Sequence, residues 1–522
     1  MKVPDHIQKE LEELRAENTM LRQKLDALLK KVFAASSEKV DLDQLLLFEE
    51  QSVKKPEGDA LELEDKQASP SKKPRKKRTS REATLPSNIE VEEIVLLPDE
   101  VKENPQHFSQ IDEEVTTKLD YSPAKFIKVV IRRLKFVRRN MQETSNEEEQ
   151  DFNIAPLPPS LKERSLLTPN LAAEIATNRF CDHLPYYRQE QHFLMRHKVH
   201  LPRSTMSQWM RDLASDYLIG VYEAMHQQML AEGYLQVDET PIDYLEPGHG
   251  SVKKGYFWTL SHPDRNSSDG RGDIFYQWHL GRSTNCLRDL LESGPLKFTG
   301  ILQCDGYKAY NSYQRGKQEE LKLIGCWAHV RRKFVEAKAD KPKLTGWILK
   351  QIASLYHIEA QLRKSRASAS ERERVRLWQS LPIYNRLQKA LWKLKARTNI
   401  LAKSPLGKAI NYALSEWGKL KLCFLDGLLE MDNNLIENGI RPTKLGAKNW
   451  LFMGSESAGQ INAIWYSLIE SVRRRQLNPR DYLVWLFEEL PKIQVTKGTF
   501  AQYTPRAYAE KMKRQSRFKK AS

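Results

Sequence analysis

The sequence has no long apolar run and few cysteines, and both absences narrow the kind of protein that it encodes. No stretch approaches the ~20 apolar residues that a membrane-spanning helix needs. The N-terminus lacks the apolar core of a signal peptide. The five cysteines are odd in number and contain no Cys-x-x-Cys pair, which argues against a disulfide framework. We therefore expect a cytoplasmic protein with reduced thiols and no membrane partner.

What the sequence has in excess is positive charge. Its 84 lysines and arginines outnumber 68 aspartates and glutamates, which gives a net charge of +16. Such a balance favours phosphate binding, although net charge says nothing about the fold. Nucleic acid is therefore the leading partner class. The 522 residues, of which 40% are apolar, allow about two to four domains with a sizeable core.

Residues 1–33 carry a heptad pattern that predicts a leucine-zipper-like coiled coil. An asparagine at an a position, Asn18, favours a defined register and a two-stranded parallel pairing. We expect a homodimer or higher oligomer, although a helix this short could instead fold back on its own chain. The predicted dimerisation residues are Ile7, Leu11, Leu14, Asn18, Leu21, Leu25, Leu28 and Val32.

Residues 34–117 are rich in serine, proline, glutamate and lysine, and this composition predicts a flexible charged linker. A basic run at 72–78 resembles a nuclear import signal, but the same charges can hold DNA phosphates or stay solvated. Further on, the basic run Lys125–Arg139 has the character of a β-strand. Such a run either contacts DNA or protects an exposed sheet edge.

Residues 161–230 follow a proline-rich break and predict a helix-turn-helix DNA-binding region, with helices at Tyr187–Lys198 and Ser204–Ala214. Ser204 would cap the second helix. The alternative is an ordinary helical hairpin whose polar face meets water. The residues that a major-groove helix would present to DNA are Thr205, Ser207, Gln208 and Arg211. The expected core residues of this helix are Met206, Trp209 and Met210.

Two aspartates lie at or just past probable strands. Asp238 lies in the apolar stretch Tyr234–Ile242, which Pro241 should limit, and Asp305 ends the stretch Thr299–Asp305. Glu239 and Asp243 are odd-numbered steps from Asp238, so their side chains should point to the other face.

A third acidic residue, Glu437, follows an Asn-rich helix start. One interpretation is a capping box, with Asn434 as the cap and Glu437 reaching back to it. The other is that Glu437 converges with the two aspartates. Three such carboxylates can hold two divalent ions about 4 Å apart, the arrangement used in phosphoryl transfer. Magnesium, or manganese in its place, prefers oxygen ligands of this kind.

Several segments, in this order, resemble the insertion-sequence-66 family of bacterial DDE transposases from about Lys118 to Leu490. They are Asp182–Gln189, Arg203–Thr205, Gln303–Tyr307, Cys326–His329, Asp432–Asn434 with Glu437, and Lys448–Ser455. The resemblance implies a multidomain α/β protein with a ribonuclease-H-like catalytic domain at 231–470. By the same resemblance, the catalytic and metal-binding triad is Asp238, Asp305 and Glu437.

The family usually carries zinc-binding cysteine pairs at the place of residues 118–160, and this chain departs from that pattern. It has no cysteine from Met1 to Phe180, so zinc binding is not expected in this zinc-finger-like region. Cys326 and His329 could be half of a zinc site, but no second pair with suitable spacing follows. We expect His329 to act at most through its neighbours.

The order of elements from residue 233 fits such a catalytic domain. Strands are predicted at Tyr234–Ile242, Lys254–Leu260, Asp273–Leu280, Thr299–Asp305 and Leu321–Trp327, with helices at Thr284–Glu292 and His329–Ala337. Charged helices follow at about 338–427 and predict an all-helical insertion before Glu437. Its tryptophans are expected in the core, and the alternative is that one of them stacks on a flipped base: Trp347, Trp378, Trp392 and Trp417.

Basic residues near the predicted triad are candidates for holding DNA. They are Arg331, Arg332, Arg441 and Lys444. The arginines after His329 could equally form a solvated basic face, whereas Arg441 and Lys444 should share one helix face with Glu437. Pro442 should kink or end the helix near residue 441, which makes Lys444 the weaker candidate. An amphipathic helix past Gly459 should pack on the sheet. Residues 471–522 are expected to be a C-terminal helix and a basic tail, disordered from Arg506.

The sequence thus predicts a transposase that binds the terminal inverted repeats of its element and target DNA, in the cytoplasm and associated with the nucleoid. Accessory proteins of the same element are further expected partners. Two alternatives stay open. One is a catalytically inactive dimeric DNA-binding protein derived from a transposase, and the other is a structure-specific DNA nuclease.

Overall fold

Two sheets and their covering helices make up the described part of the protein. A computed structural model describes residues 90–521, with gaps at 123–124, 139–151, 247, 249, 265–270 and 493–498. The predicted coiled coil of residues 1–33 and its dimerisation residues lie outside the described residues, as does most of the predicted linker. Among the described residues, no helix has the length and apolar character that crossing a bilayer requires.

The first sheet lies within residues 90–154. Its elements are β1 (Glu90–Leu96), helix α1 (Asp99–Glu103), β2 (Phe108–Ser122), β3 (Lys125–Arg138) and β4 (Phe152–Ile154). Strand β3 is central, because it pairs in parallel with β1 and antiparallel with β2 and β4. The edge-strand interpretation of the basic run is therefore wrong.

The linker predicted for residues 34–117 is wrong from residue 90 onward. Several of its acidic residues belong to β2 and face basic residues of β3: Arg132 Nη1 donates to Glu113 Oε1 at 2.6 Å, and Arg133 pairs with Glu114 directly opposite. Opposite charges across two strands stabilise their pairing. The acidic residues that suggested a linker include glutamates that form ion pairs with the basic strand β3.

Apolar contacts form the core of this module among the described residues. Val101, Phe108 and Phe136 are buried together, and the two phenylalanine rings meet edge to face with centroids 6.5 Å apart. Phe136 lies in the zinc-finger-like region that lacks cysteines, and this aromatic contact is part of its core.

Helices connect the first sheet to the second. They are α2 (Pro169–Phe180), α3 (Tyr186–His197), α4 (Arg203–Leu213) and, after a π-helical turn at Ala214–Leu218, α5 (Ile219–Leu230). The predicted Ser204 cap is wrong, because α4 begins one residue earlier without a side-chain cap. Glu190 of α3 accepts the Arg203 N–H at 3.2 Å instead. As predicted, the buried residues of α4 include Met206, Trp209 and Met210.

The second sheet has five strands. They are β5 (Tyr234–Leu245), β6 (Val252–Pro263), β7 (Arg271–His279), β8 (Gly300–Gln303) and β9 (Leu321–Ile324). Their spatial order is β7-β6-β5-β8-β9. The first three strands pair antiparallel, whereas β8 and β9 run parallel to β5. The intervening helices are α6 (Thr284–Glu292), α7 (Lys308–Gln314) and, after β9, α8 (Trp327–Glu336). The predicted strands and helices are observed in the predicted order, and the sequence did not predict α7 between β8 and β9.

The helical stretch predicted before Glu437 contains four α-helices. They are α9 (Pro342–Lys364), α10 (Ala369–Val375), α11 (Leu381–Lys395) and α12 (Pro405–Leu425), with a π-helical turn at Arg376–Ser380 between α10 and α11. The prediction that its tryptophans are buried is correct for Trp417 alone. The exposed fractions are 39% for Trp347, 79% for Trp378 and 52% for Trp392. Next to Trp378 in the chain, the polar residues Arg376 and Ser380 take the inward positions.

Four further α-helices follow in the described residues. They are α13 (Asn434–Trp450), α14 (Glu456–Arg474), α15 (Pro479–Glu489) and α16 (Pro505–Ala521). Helix α14 packs on β7 as predicted, and the Ser467 and Ser471 hydroxyls accept the backbone N–H groups of Tyr276 and Ile274 at 2.9 Å. Two serines therefore satisfy an edge strand that would otherwise be open.

The predicted disorder from Arg506 is wrong. Arg506 lies in α16 and forms ion pairs with Glu232 at 2.6 Å and with Asp273 at 3.4 Å. Tyr508 is buried in the main core. The basic composition of this segment obscured its buried apolar and ion-pairing positions.

Gly439 allows α13 to lie close against β7 and α14. An added Cβ would lie 2.2 Å from Ile274 Cδ1 and 2.3 Å from Arg474 Nη2. We expect Gly439→Ala to lower the free energy of unfolding by about 1–3 kcal/mol, the usual cost of overpacking. Urea unfolding would measure it. The control is Gly418→Ala in α12, where nothing lies within 4 Å of the added methyl group. That control should raise stability by about 0.5–1 kcal/mol, and equal effects of both changes would contradict the packing argument.

Candidate active site

Asp238 and Asp305 lie on neighbouring parallel strands, each two residues beyond a paired glutamine. The register of β5 and β8 places Gln236 opposite Gln303. Because side chains alternate along a strand, a step of two residues keeps each aspartate on the face of its glutamine. Asp305 follows the end of β8, where its Oδ1 accepts the Tyr307 N–H at 2.8 Å. The sheet therefore directs both aspartates to one edge.

Asp238 lies inside β5, and the predicted limit of this strand at Pro241 is wrong. The strand continues to Leu245, with Pro241 opposite Tyr256 of β6. Strand β8 pairs only with residues 234–236 of β5. At Pro241, β5 pairs with β6 on one side and has no partner strand on the side of β8. The missing N–H of Pro241 therefore removes no hydrogen bond between strands.

Glu437 lies in the first turn of α13, and the capping-box interpretation is wrong. The N-cap is Asn433, whose side chain makes no capping hydrogen bond, and the Asn434 N–H donates to Asp432 Oδ1 at 3.1 Å. Glu437 Oε1 is buried without a hydrogen-bond partner, while Oε2 accepts from Arg332 Nη2 at 3.3 Å. The carboxylate is turned away from the amides of its own helix and towards α8.

Two fully buried glutamines attach the segment before α13 to the sheet. Gln236 Nε2 donates to Gln303 Oε1 at 2.8 Å and to the Asp432 carbonyl at 2.9 Å. Gln303 Nε2 donates to the Glu430 carbonyl at 3.0 Å. Losing either amide would leave buried polar groups unpaired, at about 1–3 kcal/mol each. The sequence prediction missed both residues, and the signal for them is the Gln-x-Asp spacing that β5 and β8 share.

Asp305 and Glu437 act electrostatically on Asp238. Burial raises the pKa of Asp238 well above its usual range. The negative charges of Glu239, Glu437 and Asp305 raise that pKa further. Like charges have this effect only at short range. The structure therefore places the charges of Asp305 and Glu437 near Asp238.

The Glu239 carboxylate is held by two hydrogen-bond donors. Arg282 Nε donates to its Oε1 at 2.5 Å, and the Tyr310 hydroxyl donates to its Oε2. Burial raises the pKa of Glu239, and these two donors lower it. Glu239 thus serves the fold on the other face of β5, as the alternation of side chains predicted.

Asp238→Asn should stabilise the protein at neutral pH in the presence of a chelator. The folded-state pKa of Asp238 is raised, so the unfolded chain loses this proton first, near pH ~3.9. The stabilising contribution of the protonated side chain is full below that pH and is lost as the pH rises towards the folded pKa. Each unit of pKa difference is worth about 1.4 kcal/mol.

The check is urea unfolding of the unmodified protein and Asp238→Asn at pH 5 and pH 8. The free energy of unfolding of the asparagine variant should increase, relative to that of the unmodified protein, from pH 5 to pH 8. A difference in unfolding free energy that is the same at both pH values would contradict the expectation.

Cys326 and His329 from the start of α8 approach Glu437. His329 Nδ1 lies 3.7 Å from Glu437 Oε1, and both atoms are buried without a hydrogen bond. The possible ligand atoms of Cys326, His329 and Glu437 all lie within 4.8 Å of one another. Burial lowers the pKa of His329, and the Glu437 charge opposes this. The sequence prediction found the first two residues but could not supply the third, which comes from a distant helix.

Arg331, Arg332 and Arg441 have different positions around Glu437. Arg332 contacts the Glu437 carboxylate. Arg331 is half-buried on α8. Burial raises the pKa of Tyr356 well above its usual range, and the Arg331 charge opposes this. Arg441 is half-buried one turn after Glu437.

Lys444 turns towards β5. The helix continues through Pro442 to Trp450, so the predicted break near residue 441 is wrong. The Lys444 ammonium donates to the Pro241 carbonyl, and burial lowers the pKa of Lys444 to about 8. Lys444 therefore contacts β5, and the prediction that its side chain lies beside Glu437 is not what the structure shows.

The predicted DNA-contacting residues of α4 are partly accessible. Gln208 and Arg211 are exposed, and Arg211 Nη1 donates to Gln208 Oε1 at 3.1 Å. Thr205 and Ser207 are half-buried. Helix α4 also contacts the core of the second sheet, because Trp465 of α14 donates to the Met210 carbonyl at 3.1 Å.

Comparison with known proteins identifies two matching family models and several similar proteins. Residues 164–461 match the model described as Transposase IS66 family, and residues 20–94 match that of Transposase C of IS166 homeodomain. Two relatives are the uncharacterized proteins y4qI and y4jD of Sinorhizobium fredii. The first is 32% identical over 73% of this chain and 68% of its own length. The second is 33% identical over 67% of each chain.

The family match covers the second sheet, the helical stretch and the segment that carries Glu437. The relatives extend the similarity over two thirds or more of the chain. The chain therefore belongs to the IS66 family of transposases.

Proposed function

We propose that this transposase binds the ends of its insertion sequence and catalyses metal-dependent DNA cleavage and strand transfer. The observation that supports the proposal is the effect of the Asp305 and Glu437 charges on the pKa of Asp238. The three residues come from β5, the end of β8 and the start of α13. Two strand-borne aspartates and one helix-borne glutamate are the carboxylates expected of a DDE transposase.

The order and direction of strands in the second sheet support a ribonuclease-H-like catalytic domain, with residues 231–470 as its extent. Three antiparallel strands are followed by two parallel strands on the other side of β5. Helices α9 to α12 would be the insertion of this domain. The helix-turn-helix region at 161–230 and the zipper at 1–33 would bind element ends and pair two copies.

The residues present fit two magnesium or manganese ions. Burial and the neighbouring negative charges raise the pKa of Asp238, and Glu437 Oε1 has no hydrogen-bond partner. Bound cations relieve both conditions, and oxygen is the donor that these ions prefer. Asp238, Asp305 and Glu437 would hold them. When bound, such ions stabilise the attacking and leaving oxygens of phosphoryl transfer.

Other residues of the chain position this site and its DNA. Gln236 and Gln303 hold the segment that precedes α13, and Arg332 orients the Glu437 carboxylate. We assign phosphate contacts to Arg331 and Arg441, because both are basic and lie on the helices that flank Glu437. Base and phosphate contacts at the element ends belong to Thr205, Ser207, Gln208 and Arg211.

The test uses the full chain and labelled DNA that carries the ends flanking its gene, with a scrambled-end duplex of equal length as the control. We expect end binding, magnesium-dependent cutting at the ends and joining of the freed 3′ ends to target DNA. Cutting of both duplexes alike would indicate a structure-specific nuclease. End binding without cutting would indicate a DNA-binding protein that has lost catalysis, unless addition of the element's other encoded proteins restored cutting.

A further inference from the structure

We propose that Cys326, His329 and Glu437 form a binding site for zinc or a similar thiophilic divalent ion. A thiolate, an imidazole and a carboxylate are the three donor types that zinc accepts, and sites with three protein ligands leave a fourth position for water. Magnesium disfavours sulfur and nitrogen ligands. The donors thus select a different ion from the one assigned to the three carboxylates.

The geometry supports a shared ion. The ligand atoms of the three side chains lie within 4.8 Å of one another. His329 Nδ1 and Glu437 Oε1 are 3.7 Å apart, and a zinc ion lies about 2.0–2.2 Å from such nitrogen and oxygen ligands. Both atoms are buried and have no hydrogen-bond partner. Unpaired buried polar atoms are costly, and a cation between these two would satisfy both.

The chain around α8 and α13 builds this pocket from two directions. Cys326 is the N-cap residue of α8 and His329 lies in its first turn, so a spacing of three residues places both side chains on one side of the helix. Glu437 approaches from the first turn of α13. The two helix starts are tied together, because Trp327 N–H donates to the Met431 carbonyl at 3.1 Å.

The surroundings of the sulfur suit a metal thiolate. The Asn433 backbone N–H points at Cys326 Sγ at 3.5 Å. The thiol donates to Asn433 Oδ1 at 2.8 Å, and Asn433 Nδ2 is buried without a partner. Exchanging the oxygen and nitrogen of this amide would turn Nδ2 towards the sulfur. A thiolate would then accept hydrogen bonds from two N–H groups of one residue, as metal-bound sulfur commonly does from its surroundings.

One part of this inference rests on the proposed function. Glu437 is a ligand in both arrangements, so an ion held by Cys326 and His329 would draw the Glu437 carboxylate away from Asp238 and Asp305. Zinc bound in this way would oppose the magnesium-dependent reaction. The binding of zinc itself does not depend on whether the protein cuts DNA.

The test is a cobalt(II) titration of the chelator-treated full chain, followed by absorption. Cobalt replaces zinc in such sites, and a cobalt–thiolate bond gives an intense near-ultraviolet band that is absent without sulfur ligation. We expect this band and its loss on adding zinc. Cys326→Ser should abolish the band while keeping a hydroxyl donor to Asn433. His329→Ala and Glu437→Gln should weaken cobalt binding by at least roughly 10–100-fold, the loss seen for supporting residues of metal sites.

The matched control is Cys181→Ser, a half-buried cysteine of another helical region, which should keep the band. Circular dichroism checks that each variant is folded. No sulfur band in the unmodified protein, or a band that survives Cys326→Ser in a folded variant, would overturn the proposal. Because no DNA is present, failure here is distinct from failure of the proposed transposition chemistry.

Discussion

Glu437→Gln should abolish magnesium-dependent cutting of element-end DNA. Glutamine keeps the size of the side chain and its capacity to accept a hydrogen bond from Arg332, but it removes the charge that would hold a cation. Removing one charge-stabilising donor from an active site costs roughly 10²–10³-fold in rate, and we expect at least that loss here. The measurement is the rate of end cutting at saturating magnesium.

The matched control is Glu456→Gln. Glu456 is also an acidic residue in the first turn of a helix, α14, but it is exposed. Its replacement should leave cutting close to the unmodified rate. Binding of element ends should be the same for both variants, because neither residue lies on α4. Retention of cutting by Glu437→Gln would remove Glu437 from the triad.

Arg376→Ala should lower the free energy of unfolding by about 3–5 kcal/mol, the cost of removing one partner of a buried ion pair. Arg376 is fully buried, and its Nε and Nη2 donate to the two oxygens of Glu359 at 2.6 and 2.9 Å. Its Nη1 donates to three carbonyls, those of Cys423, Asp426 and Leu429, at 2.7 to 2.9 Å. All of these acceptors would lose this donor.

The loss of Arg376 should also disturb the candidate active site, because the carbonyls that it binds lie just before α13, the helix that carries Glu437. Arg372 extends the network by pairing with Glu359 and Glu430, and the Glu430 carbonyl is bound by Gln303. Thermal unfolding followed by tryptophan fluorescence would measure the loss. Arg374→Ala is the control, since Arg374 lies on the same helix but is exposed. That change should stay within about 0.5 kcal/mol, and an equal loss for both variants would contradict the anchoring role.

The elements that the sequence predicted well are those whose signals are local. The strands of Asp238 and Asp305 are short apolar runs, and α14 has a helical period with a broad apolar face. The resemblance then allowed the three acidic residues to be grouped before any contact was known. Their common position at one sheet edge follows from the parallel pairing of β5 and β8.

Features that depend on a distant partner were missed or wrong. The acidic residues of β2 suggested a linker because their arginine partners lie on another strand. Nothing in the local sequence marks Gln236 and Gln303, because the carbonyls that they bind lie near Asp432, far along the chain. Lys444 was placed by helical spacing alone, whereas burial against Pro241 decides its orientation. A local pattern cannot specify which side chain a residue will meet across the fold.

The π-helical turn at Arg376–Ser380 has a consequence for how this segment tolerates insertions and deletions. Such a turn holds one residue more than an α-helical turn. Deleting one residue would restore the α-helix and rotate the part of the helix before the turn by about 100° relative to the part after it. Arg372 would then leave Glu359, while α11 kept its place. Substitutions at the exposed Leu377 and Trp378 should therefore be far better tolerated than any change in the number of residues between Arg372 and Leu381.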